Sequence, residues 1–308
     1  MSDTSSAVQQ ARSALRDSLI EVGHLIPSGV PGLYGLSGTF ESIIEHFEGL
    51  VTRAGAHHSA EVMRFPPILS RETYASTDHI ETMPQLLGSV HSFDGDERAR
   101  GELVTRLHDG SDWSESLTAT DVVMVPAACY PLYPTASGTL PPGGRTVDLR
   151  TFVFRHEPSD DPARMQIFRQ REYVRLGTPD VAEAHRDEWI ERALEIHRSI
   201  GLDVRKVVAN DPFFGRGGRV MKATQREQHL KFEILCPIAS SEAPTAITSS
   251  NYHLDHFGQA FDIRTSDGAV AHTSCVGFGL ERITLALLRT HGMDPDSWLS
   301  EVRSVLEL

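Results

Sequence analysis

Cysteine is scarce: Cys129, Cys236 and Cys275 are the only three in 308 residues. Three scattered thiols make no disulfide framework, so the expected compartment is the cytoplasm. No apolar run reaches the roughly 18 residues that a membrane span needs. The opening stretch "MSDTSSAVQQARSALRDSLIEV" lacks the basic region and apolar core of a signal peptide. Positive charge is short as well: 29 Lys and Arg face 42 Asp and Glu, for a formal net charge of −13. Nucleic-acid binding rests on neutralising phosphates. The balance argues against a chain built mainly to hold nucleic acid and leaves only a local basic patch open. There is no Walker A loop, no strand-linked dinucleotide fingerprint, no internal repeat and no low-complexity tract.

What remains is an ordinary globular composition, 40% apolar and 23% charged. Residues 6–24 read as a helix. So do residues 39–55, where Phe40, Ile43, Ile44, Phe47, Leu50 and Val51 recur at helical spacing. Residues 61–69 read as a short strand stopped by Pro66 and Pro67. The segments around 80–110 read as helices with polar loops, and 121–126 as a buried strand. Strands follow at 147–155 and 166–176, joined by the turn-rich "EPSDDPA". Thr178 is placed to N-cap a helix with Pro179 in its first position and Gly201 at its end. Val181, Trp189, Ala193, Ile196 and Ile200 form its inward stripe. Residues 203–210, 230–236 and 258–265 read as strands. Residues 277–292 read as a glycine turn feeding an amphipathic helix, and a last helix starts at Asp294–Pro295. Strands in hairpin-like succession after a helical start predict an α+β domain around an antiparallel sheet. A doubly wound sheet would alternate strand and helix more regularly.

Residues 154–177, "FRHEPSDDPARMQIFRQREYVRLG", carry five arginines. Arg155 and Glu157 stand two apart, and Arg164, Phe168 and Glu172 recur every four residues, so each set shares a face of an extended chain. Guanidinium forks bind phosphate oxygens in pairs, and an aromatic ring offers a base a stacking surface. The bland alternative is a surface hairpin with exposed charge pairs, each worth little.

This segment resembles motif 2 of the class II aminoacyl-tRNA synthetases: Phe-Arg-x-Glu, a loop, then Arg-x-x-x-Phe-x-x-x-acid. "GFGLERI" (277–283) resembles their motif 3, Gly-x-Gly-x-x-Arg. Residues 39–67, with Pro66 or Pro67 as the proline, are a degenerate counterpart of motif 1, through which the family dimerises. The resemblance implies a class II synthetase-like catalytic domain, an antiparallel sheet flanked by helices, over residues 1–308 with a helical extension at 1–30. It implies that Arg155 binds the α-phosphate of ATP and stabilises charge as a carboxylate attacks. Glu157 then holds the adenine edge, Phe168 stacks on one face of adenine, and Arg282 covers the other face or reaches the γ-phosphate. Arg164 contacts the outer phosphates.

Taken singly, each cysteine reads as a buried small hydrophobe. The sequence is however similar to the zinc-dependent, atypical seryl-tRNA synthetases, and Cys129, Glu172 and Cys275 occupy the places of their three zinc ligands. Three protein ligands leave one position open, here for a substrate amine. Cys236 has no such match and reads as a core thiol. The resemblance extends, from about residue 30 to 308, to the amino acid:[carrier protein] ligases, truncated homologues of those enzymes. It implies activation of glycine or alanine with ATP and magnesium, then transfer to the phosphopantetheine thiol of a carrier protein. A single-domain length, the lack of a long N-terminal coiled-coil arm and the net charge of −13 set the chain apart from enzymes that bind tRNA. A compact tRNA-aminoacylating enzyme and a non-catalytic nucleotide-binding regulator are the rival readings. The stretch 215–231, with Arg216, Arg219, Lys222, Arg226 and Lys231, is a candidate landing patch for an acidic carrier protein, or a patch facing ATP. Where the seryl enzymes carry an acidic residue for magnesium, this sequence has Thr245 or Ala246. Glu233 becomes the candidate for the metal, and Ser250 and Asn251 the candidates for substrate.

Overall fold

The computed structural model describes residues 2–211 and 228–308. Its centre is a seven-stranded sheet made of β1 (Glu61–Met63), β2 (Arg145–Phe154), β3 (Ile167–Gly177), β4 (Arg205–Val208), β5 (Lys231–Cys236), β6 (Thr245–Tyr252) and β7 (His272–Gly279). The spatial order is β4-β5-β6-β7-β3-β2-β1. Every pairing is antiparallel except β1 with β2. The fold is α+β, as the run of consecutive strands predicts.

Nine α-helices are described: α1 (Ser2–Glu21), α2 (Gly38–Gly55), α3 (Arg71–Ala75), α4 (His79–Thr82), α5 (Glu97–Asp109), α6 (Pro179–Ser199), α7 (His256–Ala260), α8 (Leu280–His291) and α9 (Ser300–Leu306). Three of them, α2, α6 and α8, cover one face of the sheet, with α2 touching both of the others. The Ser37 hydroxyl accepts from the Phe40 amide and starts α2, which buries Phe40, Ile43, Ile44, Phe47 and Val51. Trp189 of α6, fully buried, stacks on Tyr173 of β3 at 4.4 Å. Ion pairs pin the sheet to this layer. Arg169 of β3 meets Glu281 of α8 and Glu41 of α2, and Arg171 meets Asp148 of β2. The opposite face of the sheet is the floor of a cleft.

Several expectations need correction. The 61–69 strand is two strands, because the Arg64–Pro67 break lets β1 join the large sheet while Ile68–Ser70 pairs with Thr118–Met124 in a small one. Within 80–110 only α5 is long, and a strand at Ser89–Ser92 interrupts the helices. The 121–126 strand is only half-buried, with Val123 and Val125 inside and Asp121 exposed. Residues 258–265 are not a strand. They hold the end of α7 and a two-residue strand, Ile263–Arg264. Gly258 is needed there because a Cβ would sit 2.0 Å from the Ala271 carbonyl oxygen. Gly277 and Gly279 form no turn; they close β7, which runs straight into α8. Val181 is half-buried rather than inward, and Thr178 makes no side-chain cap. Residues 295–297 form a single 3-10 turn, so the last helix starts later, at Ser300.

Candidate active site

A cleft of about 320 Å³ lies on the uncovered face of the sheet, between the strands and the α4 and α7 segments. Strand alternation decides what faces it. Arg155 at the end of β2, Gln170 and Glu172 of β3, Ser249 and Asn251 of β6, and Cys275 of β7 all line it.

At one end Arg155 brings the cleft up against a group of guanidiniums. Arg155 and Arg282 flank the ring of Phe168, at 5.6 and 5.9 Å from its centroid. Arg155 donates to the Pro126 carbonyl oxygen, and Arg282 to those of Ala163 and Ala246. Arg164 reaches Glu157 at 3.4 Å, with both side chains partly exposed. Burial, followed by repulsion from Arg155 and Arg164, lowers the pKa of Arg282 to about 10. Glu157 and Asp161 offset part of that repulsion, and Arg164 pairs with both. A flat ring between Phe168 and Arg282 needs two van der Waals separations, about 7 Å in all. At 5.9 Å, Arg282 and the Phe168 ring leave less than that between them.

At the other end Cys129, Glu172 and Cys275 converge, with their ligand atoms all within 4.8 Å of one another and all three residues buried. Cys129 comes from the loop after Thr118–Met124, Glu172 from the middle of β3 and Cys275 from β7. The Glu172↔Gly277 register sets the latter two side by side. One carboxylate oxygen of Glu172 accepts from the Ala128 amide at 3.1 Å. The other is buried with no hydrogen-bond partner. Burial, and then the neighbouring Cys275 sulfur, raises Glu172 to about 8. Cys275 is held low by the S–H of Cys129, while its coupled neighbour Cys129 is held high by that contact and by burial. Asn251 Nδ2 donates to Cys275 Sγ at 3.5 Å and His253 Nε2 lies 3.6 Å from it. An orphaned carboxylate oxygen beside two thiols, with donors already turned to one sulfur, fits a thiophilic dication such as zinc.

No family model matches the sequence. Among curated proteins, the chain is 44% identical over 284 residues to amino acid--[acyl-carrier-protein] ligase 1 of Bradyrhizobium diazoefficiens, covering 91% of this chain and 86% of that protein. The chain belongs to the amino acid--[acyl-carrier-protein] ligase family. The family is related to the type-2 seryl-tRNA synthetases. The serine--tRNA ligase of that type from Methanopyrus kandleri is 27% identical over 216 residues, which is 66% of this chain and 39% of the relative. In structure, the M. kandleri seryl-tRNA synthetase crystallised with A. aeolicus tRNASec superposes with a TM-score of 0.81 at 21% identity. The superposition covers 95% of this chain and 60% of the synthetase, and it shows the class II catalytic fold.

Within this ligase fold some expected site residues fall elsewhere. Ser250 does not face the cleft. Its hydroxyl donates to the carbonyl oxygens of Arg186 and Cys275 on the helix-covered face. Its neighbours Ser249 and Asn251 face the cleft instead. Glu233 stands on the cleft side of β5, opposite Ser249, but pairs with Lys231 at 3.3 Å. Lys231 is buried and also pairs with Asp211 at 2.5 Å. An ammonium thus lies between the two carboxylates, the place that a divalent ion held by Glu233 would have to share or take. Lys231 likewise drops out of the proposed landing patch. Arg216, Arg219, Lys222 and Arg226 lie outside the described residues. Cys236 is buried in the main apolar core, as a core thiol should be.

Sequence reasoning missed His79, His253 and His256, which line the cleft with Asp78. The run "NYHLDH" at the end of β6 carries two of these histidines, and their place next to the candidate substrate residue Asn251 was the available signal. A second converging group, His57, His58 and Glu188, sits on the far side of the sheet. The Arg192 guanidinium already binds Glu188 and His57 there, so the group is a compensated ion cluster.

Proposed function

We propose that this protein uses ATP to activate an amino acid as its aminoacyl-adenylate and then transfers the aminoacyl group to the phosphopantetheine thiol of a carrier protein. The observation that carries this reading is that Arg155, which with Arg282 approaches the ring of Phe168, lines the same cleft as the Cys-Glu-Cys group, in a chain of this ligase family. Arg155 lies between the two ends and lines the cleft with the triad. It offsets charge on the α-phosphate as the amino acid carboxylate displaces pyrophosphate. Arg164 and Arg282 hold the outer phosphates, Phe168 stacks on adenine and Glu157 accepts from its amino edge. Cys129, Glu172 and Cys275 would hold a zinc ion, which would supply a Lewis-acid position for the substrate's α-amino group. Positioning does most of the work, and no protein nucleophile is needed for activation.

The amino acid is proposed to be small, glycine or alanine. Cys129 and Cys275 belong to an apolar cluster with Tyr133, Leu149 and Phe257, and these rings wall the triad closely. The test is amino-acid-dependent exchange of pyrophosphate into ATP across all proteinogenic amino acids, followed by charging of holo-carrier protein against charging of tRNA. Exchange confined to small amino acids, with charging of the carrier protein, is the expected result. Exchange with none of them would remove the activation reading. Charging of tRNA alone would make the protein a compact aminoacylating enzyme.

A further inference from the structure

The second step needs a thiolate, and an alkyl thiol is only a few per cent ionised at neutral pH. Three histidines line the cleft. His79 is 2% exposed, and its Nδ1 is bonded to the Tyr74 hydroxyl at 2.7 Å. His253 is committed at both nitrogens, to Thr273 Oγ1 at 3.0 Å and Cys275 Sγ at 3.6 Å. His256 differs. Its Nε2 is buried, makes no hydrogen bond and lies 3.4 Å from Asp78 Oδ1 in an ion-pair contact, while its Nδ1 has no protein partner among the described residues. Its side chain is 40% exposed. Like His253, it lines two spaces at once: the cleft that holds the triad, and an open surface groove with Leu254, Asp255, Gln259 and Ala260. It therefore stands where the cleft meets solvent, held by a contact between α7 and the Asp78 start of α4.

We propose that His256, oriented by Asp78, is the general base that takes the proton of the incoming phosphopantetheine thiol. The proposal rests on the carrier-protein reading above. A carboxylate facing Nε2 fixes the tautomer with hydrogen on that nitrogen, leaving the Nδ1 lone pair available. The thiol S–H bond breaks and its proton moves to Nδ1. The sulfur electron pair forms the C–S bond at the adenylate carbonyl. The C–O bond to the phosphate breaks, AMP leaves with that pair, and the imidazolium returns its proton to water. The charged groups facing His256 are Asp78 across the cleft mouth and Asp255 beside it, and both raise its pKa, with Asp78 the larger influence. That moves the base towards the pKa of a thiol and favours proton transfer.

The experiment measures two rates on the full chain with a holo-carrier protein: pyrophosphate exchange, and single-turnover transfer from preformed enzyme-bound adenylate. If wild-type protein exchanges but makes no thioester, the carrier-protein reading fails first. If it makes the thioester, His256→Gln is expected to lower the ratio of transfer to exchange by about a hundredfold. The wild-type transfer rate should level off above the imidazole pKa. The variant's rate should keep rising tenfold per pH unit through the range of the thiol, so that the two converge at high pH. Asp78→Asn should shift the wild-type break to lower pH and slow transfer less than His256→Gln does. A His256→Gln ratio within threefold of wild type, a deficit constant with pH, or equal losses in both rates would each overturn the proposal.

Discussion

The two ends of the cleft are built in opposite ways. The guanidinium end comes largely from one continuous segment: Arg155, Glu157, Arg164 and Phe168 lie within fourteen residues, and only Arg282 arrives from elsewhere. The triad end comes from three places, the loop at Cys129, the middle of β3 and β7. The first needs only a hairpin to assemble. The second needs the β3–β7 register, and a slip of one residue would turn Glu172 or Cys275 to the helix side. The two ends also differ in charge. One holds guanidiniums that repel one another beside two carboxylates, the other a buried carboxyl and two thiols with their ligand atoms within 4.8 Å of one another.

The largest expected effect is at the triad, where one missing ligand has no substitute. Cys275→Ser should strip zinc, read by metal analysis of purified protein, and take amino-acid activation to the limit of detection. Stoichiometric zinc with full activity in that variant would dissolve the contrast between the ends. At the cation end, loss should be graded, because three guanidiniums share the load. Arg282→Ala is expected to raise the KM for ATP by about 10–100-fold, or about 1.4–2.7 kcal/mol. An ATP dependence equal to wild type would remove Arg282 from the site. The smallest effect separates the faces of β6. Asn251→Ala should weaken zinc binding by about tenfold through its bond to Cys275. Ser250→Ala should leave zinc affinity alone and cost about 1 kcal/mol of stability, read by urea unfolding.

The residues 154–177 show how much of this was legible. Five arginines there look alike in the sequence, yet they serve two layers. Arg155 lines the cleft and Arg164 pairs with Glu157, while Arg169 is buried in ion pairs to the helix layer and Arg171 in one to Asp148 of β2, with a hydrogen bond to the Glu48 carbonyl oxygen of α2. Period-two alternation separates them once the strand is fixed. The same rule would have removed Ser250 in favour of Ser249, but β6 was not read as a strand, because "TAITSSNY" lacks a clear alternation of apolar and polar residues. The glycines of β7 were read as a turn because glycine usually punctuates. Here Gly277 sits against Glu172, and a Cβ would approach the Glu172 side chain at 3.5 Å.

The sequence by itself determined the local pieces: the amphipathic helices, the α+β class, the hairpin with its arginines and phenylalanine, and the composition that speaks against a nucleic-acid binder. These follow from neighbours a few residues apart, where propensity and periodicity act directly. Only the tertiary structure decided that Lys231 fills the space between Asp211 and Glu233, that Ser250 faces a helix, and that His256 stands at the cleft mouth against Asp78. Those facts depend on cross-strand register and on loops packed from more than a hundred residues away, and no local pattern encodes the distance between them.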